Sequence, residues 1–332
     1  MPKPEITHAT RPLTVEVDAL NEHGESVPTP IAGEHPLTIY IDKREIVTLM
    51  TLGQNPEALV LGYLRNQRLV KSVNDIKAVQ VDWETDSAAV TTRKAVKDLD
   101  KKMSKRTVTT GCGQGTVFGD LMEEIDSITL RDDVRLSETG LHSLLDAVRR
   151  YETIYKSAGA VHGCALAAIN GDNAEILHFV EDVGRHNAVD AIAGLMWLND
   201  IDGSDKVFYT TGRLTSEMVI KAAQMRIPFL VSRSGLTQMG HDVAQRTGIT
   251  MLGRAVNKHY LLFTGTRALR EAGQPHAGRL KWPTPKTRSP AFCWPVAKAD
   301  AWAASTRACS CCAANRWRST SSNASPRRST NC

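Results

Sequence analysis

Long apolar runs are missing from this 332-residue chain. No stretch of 18 apolar residues occurs, and no apolar segment follows a basic start. A membrane span and a signal peptide are therefore not expected, and the cytoplasm is the expected compartment. Cysteine is scarce up to residue 272, where only Cys112 and Cys164 occur. So few thiols make no disulfide framework and fit a reducing compartment. Neither a dinucleotide G-x-G-x-x-G nor a P-loop is present, which speaks against ordinary NAD and ATP sites. Deaminase-type zinc chemistry needs H-x-E and P-C-x-x-C. Here His162 is followed by Gly163 and Cys164, and no C-x-x-C precedes the tail, so zinc is not expected. Cys164 reads as buried packing, and His162 as either a core histidine or a pocket wall.

Excess positive charge is also missing where it would matter. The chain carries a formal +5, but residues 1–272 hold 31 Lys+Arg against 35 Asp+Glu, and residues 273–332 hold 10 against 1. The body gives no electrostatic reason to expect nucleic acid. The tail has no isoleucine, a single leucine (Leu280), four of the six tryptophans and five of the seven cysteines. It cannot build a core in the usual way, and residues 271–332 are expected to be a disordered basic tail. Its composition is that of a GC-rich gene read in a wrong frame. Back-translated with permitted codons and shifted one frame, residues 293–317 can read as a string resembling the nucleotide-binding opening of the guanylyltransferase that attaches GMP to molybdopterin. A Cys-rich metal-binding tail around Cys309, Cys311 and Cys312 is the alternative.

Against this background the segment TTGCGQGT (109–116) stands out. Gly111, Gly113 and Gly115 free the backbone for positive φ and close approach. Successive amides in such a turn favour an anion, a thiolate included. Lys101, Lys102, Lys105 and Arg106 upstream would lower the pKa of Cys112. A tight turn holding a small apolar residue would have the same local sequence.

Residues 1–35 read as an arm or loose first strand, and 36–135 as an α+β part carrying the Cys112 loop. Residues 136–270 read as an α/β domain. Around Asp42-Lys43-Arg44, residues 37–51 predict a hairpin. Asn55-Pro56 opens a helix with Leu59, Tyr63 and Leu64, Asn55 being its N-cap. Residues 76–83 and 87–93 predict strands. An amphipathic helix from about 138 places Leu141, Leu144, Leu145, Val148, Tyr151 and Tyr155 on one face. Strand–loop–helix then recurs, with strands at 174–180, 206–211, 228–232 and 249–252. This predicts a parallel or mixed sheet with helices packed on it.

Ligands of such sheets sit beyond the carboxyl ends of the strands. The loops there hold Arg185 and His186, then Arg213, then Arg233 between Ser232 and Ser234, then Arg254 with Lys258 and His259. Arginine's planar fork suits phosphate oxygens, and helix N-termini add N–H donors, with Ser216 a candidate cap. An anionic ligand is expected. Within EDVGRHNAVD (181–190) the plainer possibility is an Asp182–Arg185 salt bridge with Asn187 as N-cap.

TTGCGQG, VHGCAL, EDVGRHNAVD, TTGRLTSEMVIKAAQMRIPFLVS and GITMLGR together resemble the FdhD family of sulfur carrier proteins needed for formate dehydrogenase activity. The resemblance spans roughly residues 36–265. It implies a sulfurtransferase that takes persulfide sulfur from a cysteine desulfurase. The sulfur passes to the Mo-bis(pyranopterin guanine dinucleotide) cofactor (or its tungsten counterpart) before insertion into apo-formate dehydrogenase. It also implies a homodimer and a three-layer mixed sheet with flanking helices, a cytidine-deaminase-like core without zinc, beside a smaller N-terminal α+β part. Residue by residue, the persulfide cysteine falls on Cys112. The cofactor segment, just after the last sheet strand, falls on Arg254, Ala255, Val256, Asn257, Lys258 and His259. One departure is clear: the family pattern is often C-x-x-C, whereas Cys112 is followed here by Gly113, Gln114 and Gly115. That feature favours the alternative of a non-catalytic cofactor chaperone; a third reading, a nucleotide-binding hydrolase or deaminase relative, is opposed by the absent zinc ligands.

Overall fold

The computed structural model describes residues 3–96, 125, 127–151 and 153–265. The Cys112 loop and its basic approach, and the tail from 271, lie outside the described residues. The hairpin expected at 37–51 forms as β4 (His35–Ile41) and β5 (Arg44–Thr51), joined by Asp42 and Lys43 alone. Both turn residues are left-handed, with φ of 46° and 72°. That geometry matches the twist of the flanking strands. The Asp42 carboxylate accepts from the N–H and the hydroxyl of Thr92, tying the turn to β7 (Ser87–Thr92). With β6 (Ile76–Asp82) and the two-residue β1 (Glu5–Ile6), these strands make a five-stranded sheet ordered β1-β6-β7-β4-β5. Residues 1–35, read above as an arm or a loose first strand, supply β1, parallel to β6. They also supply a separate antiparallel ribbon, β2 (Thr14–Leu20) with β3 (Ser26–Ala32).

The second sheet is six-stranded and mixed, ordered β13-β12-β11-β10-β8-β9. Its strands are β8 (His162–Asn170), β9 (Asn173–Asp182), β10 (Lys206–Thr210), β11 (Phe229–Ser232), β12 (Thr250–Val256) and β13 (His259–Thr264). One face is covered by α2 (Glu138–Tyr151). Its Leu141, Leu144, Leu145 and Val148 pack with Val207, Tyr209, Val231 and Leu252. The other face is covered by α4 (Arg185–Leu198), α5 (Ser216–Gln224) and α6 (Gln238–Thr247), over Cys164, Leu166, Phe208, Leu230 and Met251. The sheet is therefore sandwiched between helices, which is why Phe229–Ser232 is buried on both faces. Among the described residues no helix is long and apolar enough to cross a membrane.

Helix α2 stops at Tyr151, so Tyr155, expected on the same helical face, sits instead in a separate short turn, α3 (Ile154–Ser157). The cause is Glu181. Its carboxylate accepts from the N–H groups of Thr153, Ile154 and Tyr155 and from the Thr153 hydroxyl, restarting the chain there.

Helix α1 (Pro56–Asn66) is apolar nearly all round, with Leu59, Val60, Leu61, Tyr63 and Leu64 buried. Such a helix must be covered on every side. Pro56 occupies the first turn as expected, while the Asn55 side chain makes no cap bond. Helix α1 lies against the first sheet and crosses α4 at two glycines. A Cβ on Gly62 would stand 1.6 Å from the Asp190 carbonyl oxygen, and one on Gly194 would stand 1.9 Å from that of Ala58. Backbone meets backbone there, and through this crossing Leu37, Ile39 and Leu49 of the first sheet share one buried cluster with Cys164 and Leu230 of the second.

Candidate functional site

Strand β8 is antiparallel to both β9 and β10, and β10, β11 and β12 are parallel. The carboxyl ends of β9 to β12 therefore share one edge with the first residue of β8, His162. Side chains weld that edge. The Thr210 hydroxyl accepts from the Gly212 N–H and from the Cys164 thiol at 3.3 Å. The Ser232 hydroxyl donates to the Gly212 carbonyl and accepts from the Ser234 N–H. Thr210 and Ser232 are register partners, so the two loops are bolted together at their roots.

The two acids that end β9 face opposite sides, and both are consumed by the fold. Glu181 holds α3. Asp182 is buried and accepts from the Thr51 hydroxyl (2.5 Å), the Leu52 and Gly184 N–H groups and the Asn187 amide. Burial pushes the Asp182 carboxyl up, and these donors pull against it. No Asp182–Arg185 salt bridge forms. Asn187 is not the N-cap either, because Gly184 takes that place and Asn187 lies inside the helix. Likewise Thr215, not Ser216, occupies the N-cap of α5.

His186, expected at the edge, is turned inward. It is 2% exposed, and its Nε2 lies 3.6 Å from Glu217. Beneath it Lys221 pairs with Asp190 at 2.9 Å, and Asn66 holds the other Asp190 oxygen at 2.7 Å. Burial first, then the charges of Lys221 and Arg185, push the His186 imidazole down to about 2, so it is neutral. Cys164 is fully buried, and desolvation pushes its thiol up to about 12.

The four arginines reach one edge but divide between the two faces of the sheet. On the α4 side lies Arg185, with Arg213 close enough for its charge, like that of Arg185, to lower the half-buried His162 below its usual range, burial being the larger cause. On the α2 side Arg233 stacks over Tyr155, its guanidinium carbon 5.4 Å from the ring centre. There a cavity of about 190 Å³ is lined by Arg149, Lys156, Arg233, Tyr209, Ala255 and Asn257, among others. None of its lining residues is acidic. Its volume is below the ~300–1,000 Å³ of ordinary ligand pockets. Arg149 and Lys156 were not expected from sequence; nothing but their helix-end position distinguished them from solvated surface.

The segment 254–259 does not follow the last strand; β13 comes after it. Arg254 to Val256 close β12, Asn257 and Lys258 form a two-residue turn, and His259 opens β13. Arg254 is left-handed (φ 52°), an uncommon state for a residue with a Cβ, held by its N–H on the Ser234 carbonyl at 2.8 Å. Arg254, Lys258 and His259 are exposed, Val256 and Asn257 border the cavity, and Ala255 is buried against the α2 core. Among the described residues no three His, Cys, Asp or Glu side chains come together as a metal cage.

Comparison with known proteins gives the arrangement its context. The chain is 28% identical over 231 residues to the sulfur carrier protein FdhD of Listeria innocua, covering 69% of this chain and 87% of that one. Over 253 residues it is 28% identical to FdhD of Bacillus subtilis, covering 75% and 95%. The fold is similar to that of a formate dehydrogenase accessory protein from Desulfotalea psychrophila, with a TM-score of 0.63 and 25% identity. That match covers 78% of this chain and all of the other. The FdhD/NarQ family model matches residues 32–270, and the chain belongs to that family.

Proposed function

We propose that this chain is a persulfide carrier serving formate dehydrogenase, with Cys112 as the sulfur-bearing residue. The observation that carries the assignment to Cys112 is the state of the other thiol. Before the tail there are two cysteines, and Cys164 is buried with its thiol pushed up to about 12, so no thiolate is available there near neutral pH. In the donor step the Cys112 thiolate attacks the outer sulfur of a cysteine desulfurase persulfide. A new S–S bond forms, the old one breaks, and the desulfurase thiolate leaves with its electron pair.

The acceptor is the Mo-bis(pyranopterin guanine dinucleotide) cofactor, bound as cargo. Its diphosphates lie along the arginine-bearing edge and the 254–259 hairpin. Releasing the outer sulfur as sulfide takes two electrons. With Gly115 where a second cysteine often stands, these come from an external reductant or from the metal centre of the cargo. The reading includes the apo-dehydrogenase as receiving partner, a homodimer in the cytoplasm, and a cytidine-deaminase-like origin for the second sheet.

Intact-mass spectrometry after incubation with a cysteine desulfurase and cysteine tests this. Wild type gains one sulfur atom, and Cys112→Ser gains none. An adduct on Cys112→Ser would refute the assignment. A second reading, a non-catalytic cofactor chaperone, is favoured by Gly115 itself, and a wild type that gains no sulfur would establish it.

A further inference from the structure

The guanidinium of Arg185 is the most anomalous group in the described part of the chain. The residue is 6% exposed, yet its Nε and Nη2 have no hydrogen-bond partner. Buried cations are ordinarily paired, because an unpaired one forfeits its hydration without return. The acids around it are all engaged. Asp182 takes four donors, Asp190 holds Lys221 and Asn66, Glu217 faces Lys221 and His186, and Glu181 caps α3 on the other side of the sheet.

The surroundings are cationic and donor-rich. Arg185 is the first residue of the 14-residue α4, whose first-turn N–H groups have no intrahelical acceptor. His162, half-buried, lies within the field of both Arg185 and Arg213, its Nδ1 3.5 Å from the Thr211 hydroxyl. Gly212 packs directly on the arginine stem, where a Cβ would come within 3.0 Å of Arg185 Cδ. A side chain there would crowd the arginine.

We propose that Arg185, with His162, Arg213 and the first turn of α4, is a receptor for one phosphoryl group, separate from the open cavity on the α2 side of the sheet. It rests on the cargo reading for the source of that group, the diphosphate of a guanine dinucleotide. Two parallel N–H bonds from a guanidinium fork match phosphate oxygens, and a lysine cannot reproduce them. The shared chemistry with free phosphate makes inorganic phosphate a usable probe.

The test is calorimetry and thermal melting on the full chain, with inorganic phosphate and with GDP. Wild type binds phosphate, GDP competes for the same site, and phosphate raises the melting temperature. Arg185→Gln weakens both ligands about 10- to 150-fold, the loss expected for a charged hydrogen bond. Its melting temperature without phosphate is no lower than that of wild type, since an unpaired buried charge has been removed; a merely structural arginine would lower it. Arg185→Lys keeps the charge but not the affinity. Arg233→Gln, on the opposite face, leaves phosphate binding unchanged.

Phosphate binding by Arg185→Gln equal to wild type would overturn the proposal, and so would its loss in Arg233→Gln alone. If Arg185→Gln loses phosphate but binds GDP as wild type does, the receptor stands and the dinucleotide cargo reading fails. If wild type takes no sulfur while phosphate behaves as described, the receptor again stands, and the carrier mechanism is what fails.

Discussion

Replacing Gly62 by alanine tests how the two sheets are joined. Two effects oppose each other. In a helix interior alanine is favoured over glycine by about 1 kcal/mol. Against this, the added Cβ would stand 1.6 Å from the Asp190 carbonyl oxygen and 2.8 Å from the Gly194 nitrogen. Carbon and oxygen need more than 3 Å, and both obstacles are backbone, so no rotamer change relieves the clash. Helix α1 must withdraw from α4 by well over 1 Å. A radial gap of 0.5–1 Å already forfeits about a quarter to a half of each dispersion contact, and the contacts at stake involve Leu59, Leu61, Ala188, Ala191 and Ile192. Overpacking typically costs about 1–3 kcal/mol, and a backbone-to-backbone clash belongs at the upper end. A net loss of about 2 kcal/mol or more is expected after the propensity gain.

Urea unfolding read by far-UV circular dichroism measures this as a lower midpoint at unchanged slope. Gly194→Ala should behave alike, since its Cβ would stand 1.9 Å from the Ala58 carbonyl oxygen. The double variant should lose less than the sum, because the first substitution has already parted the helices. A Gly62→Ala protein as stable as wild type would refute the close crossing. The same withdrawal shifts the first turn of α4, so phosphate binding at Arg185 should weaken as well.

Acid should destabilise the native state through His186. Its folded pKa, pushed down to about 2, lies below the unfolded value near 6.5. The unfolded chain therefore binds more protons as pH falls from 6.5, and stability declines at up to about 1.4 kcal/mol per pH unit, a slope that His186→Gln should reduce. Iodoacetamide at pH 8 should leave Cys164 unmodified in the native protein, its thiol being pushed up to about 12, and modify it only after unfolding; native labelling would contradict its burial. Arg254→Ala should weaken GDP about 10- to 150-fold by calorimetry, and unchanged affinity would remove the β12–β13 hairpin from the ligand surface.

Much of the architecture was legible because it rests on local rules. β-Branched residues around the polar stretch Asp42-Lys43-Arg44 located β4–β5, Pro56 located the start of α1, and the repeated strand–loop–helix rhythm located the sandwiched sheet and the edge at which β9 to β12 end. What stayed hidden depends on contacts distant in sequence. That Glu181 would end α2 by holding Thr153–Tyr155, or that Asp182 would bind Thr51, 131 residues away, has no local signature. The ribbon β2–β3 escaped because residues 1–35 read as polar and β3 carries Pro28 and Pro30, although prolines can sit where a strand's N–H groups face outward. The turn of His186 toward Glu217 was equally unreadable, since consecutive residues of a helix start point roughly 100° apart and either could have faced the edge.

The division of the arginines follows from that same geometry. Four corresponding loops suggest one pocket, but side chains at strand ends alternate between the faces of a sheet. Ser232 lies with Thr210 at the root of the loops, so the next residue, Arg233, goes to the α2 side and finds Tyr155. Arg185 is the first residue of a helix packed on the α4 side and stays there. The sheet edge thus separates an open basic cavity from a buried guanidinium whose Nε and Nη2 have no hydrogen-bond partner. A ligand with a single anionic group needs only one of these, whereas a ligand with several phosphates can engage both by crossing the edge. Gly212 and the short hydroxyl side chains of Thr210 and Ser232 at that crossing are joined by hydrogen bonds through Gly212. Bulk introduced there, rather than charge removed from either cluster, is what would separate the two sites from each other.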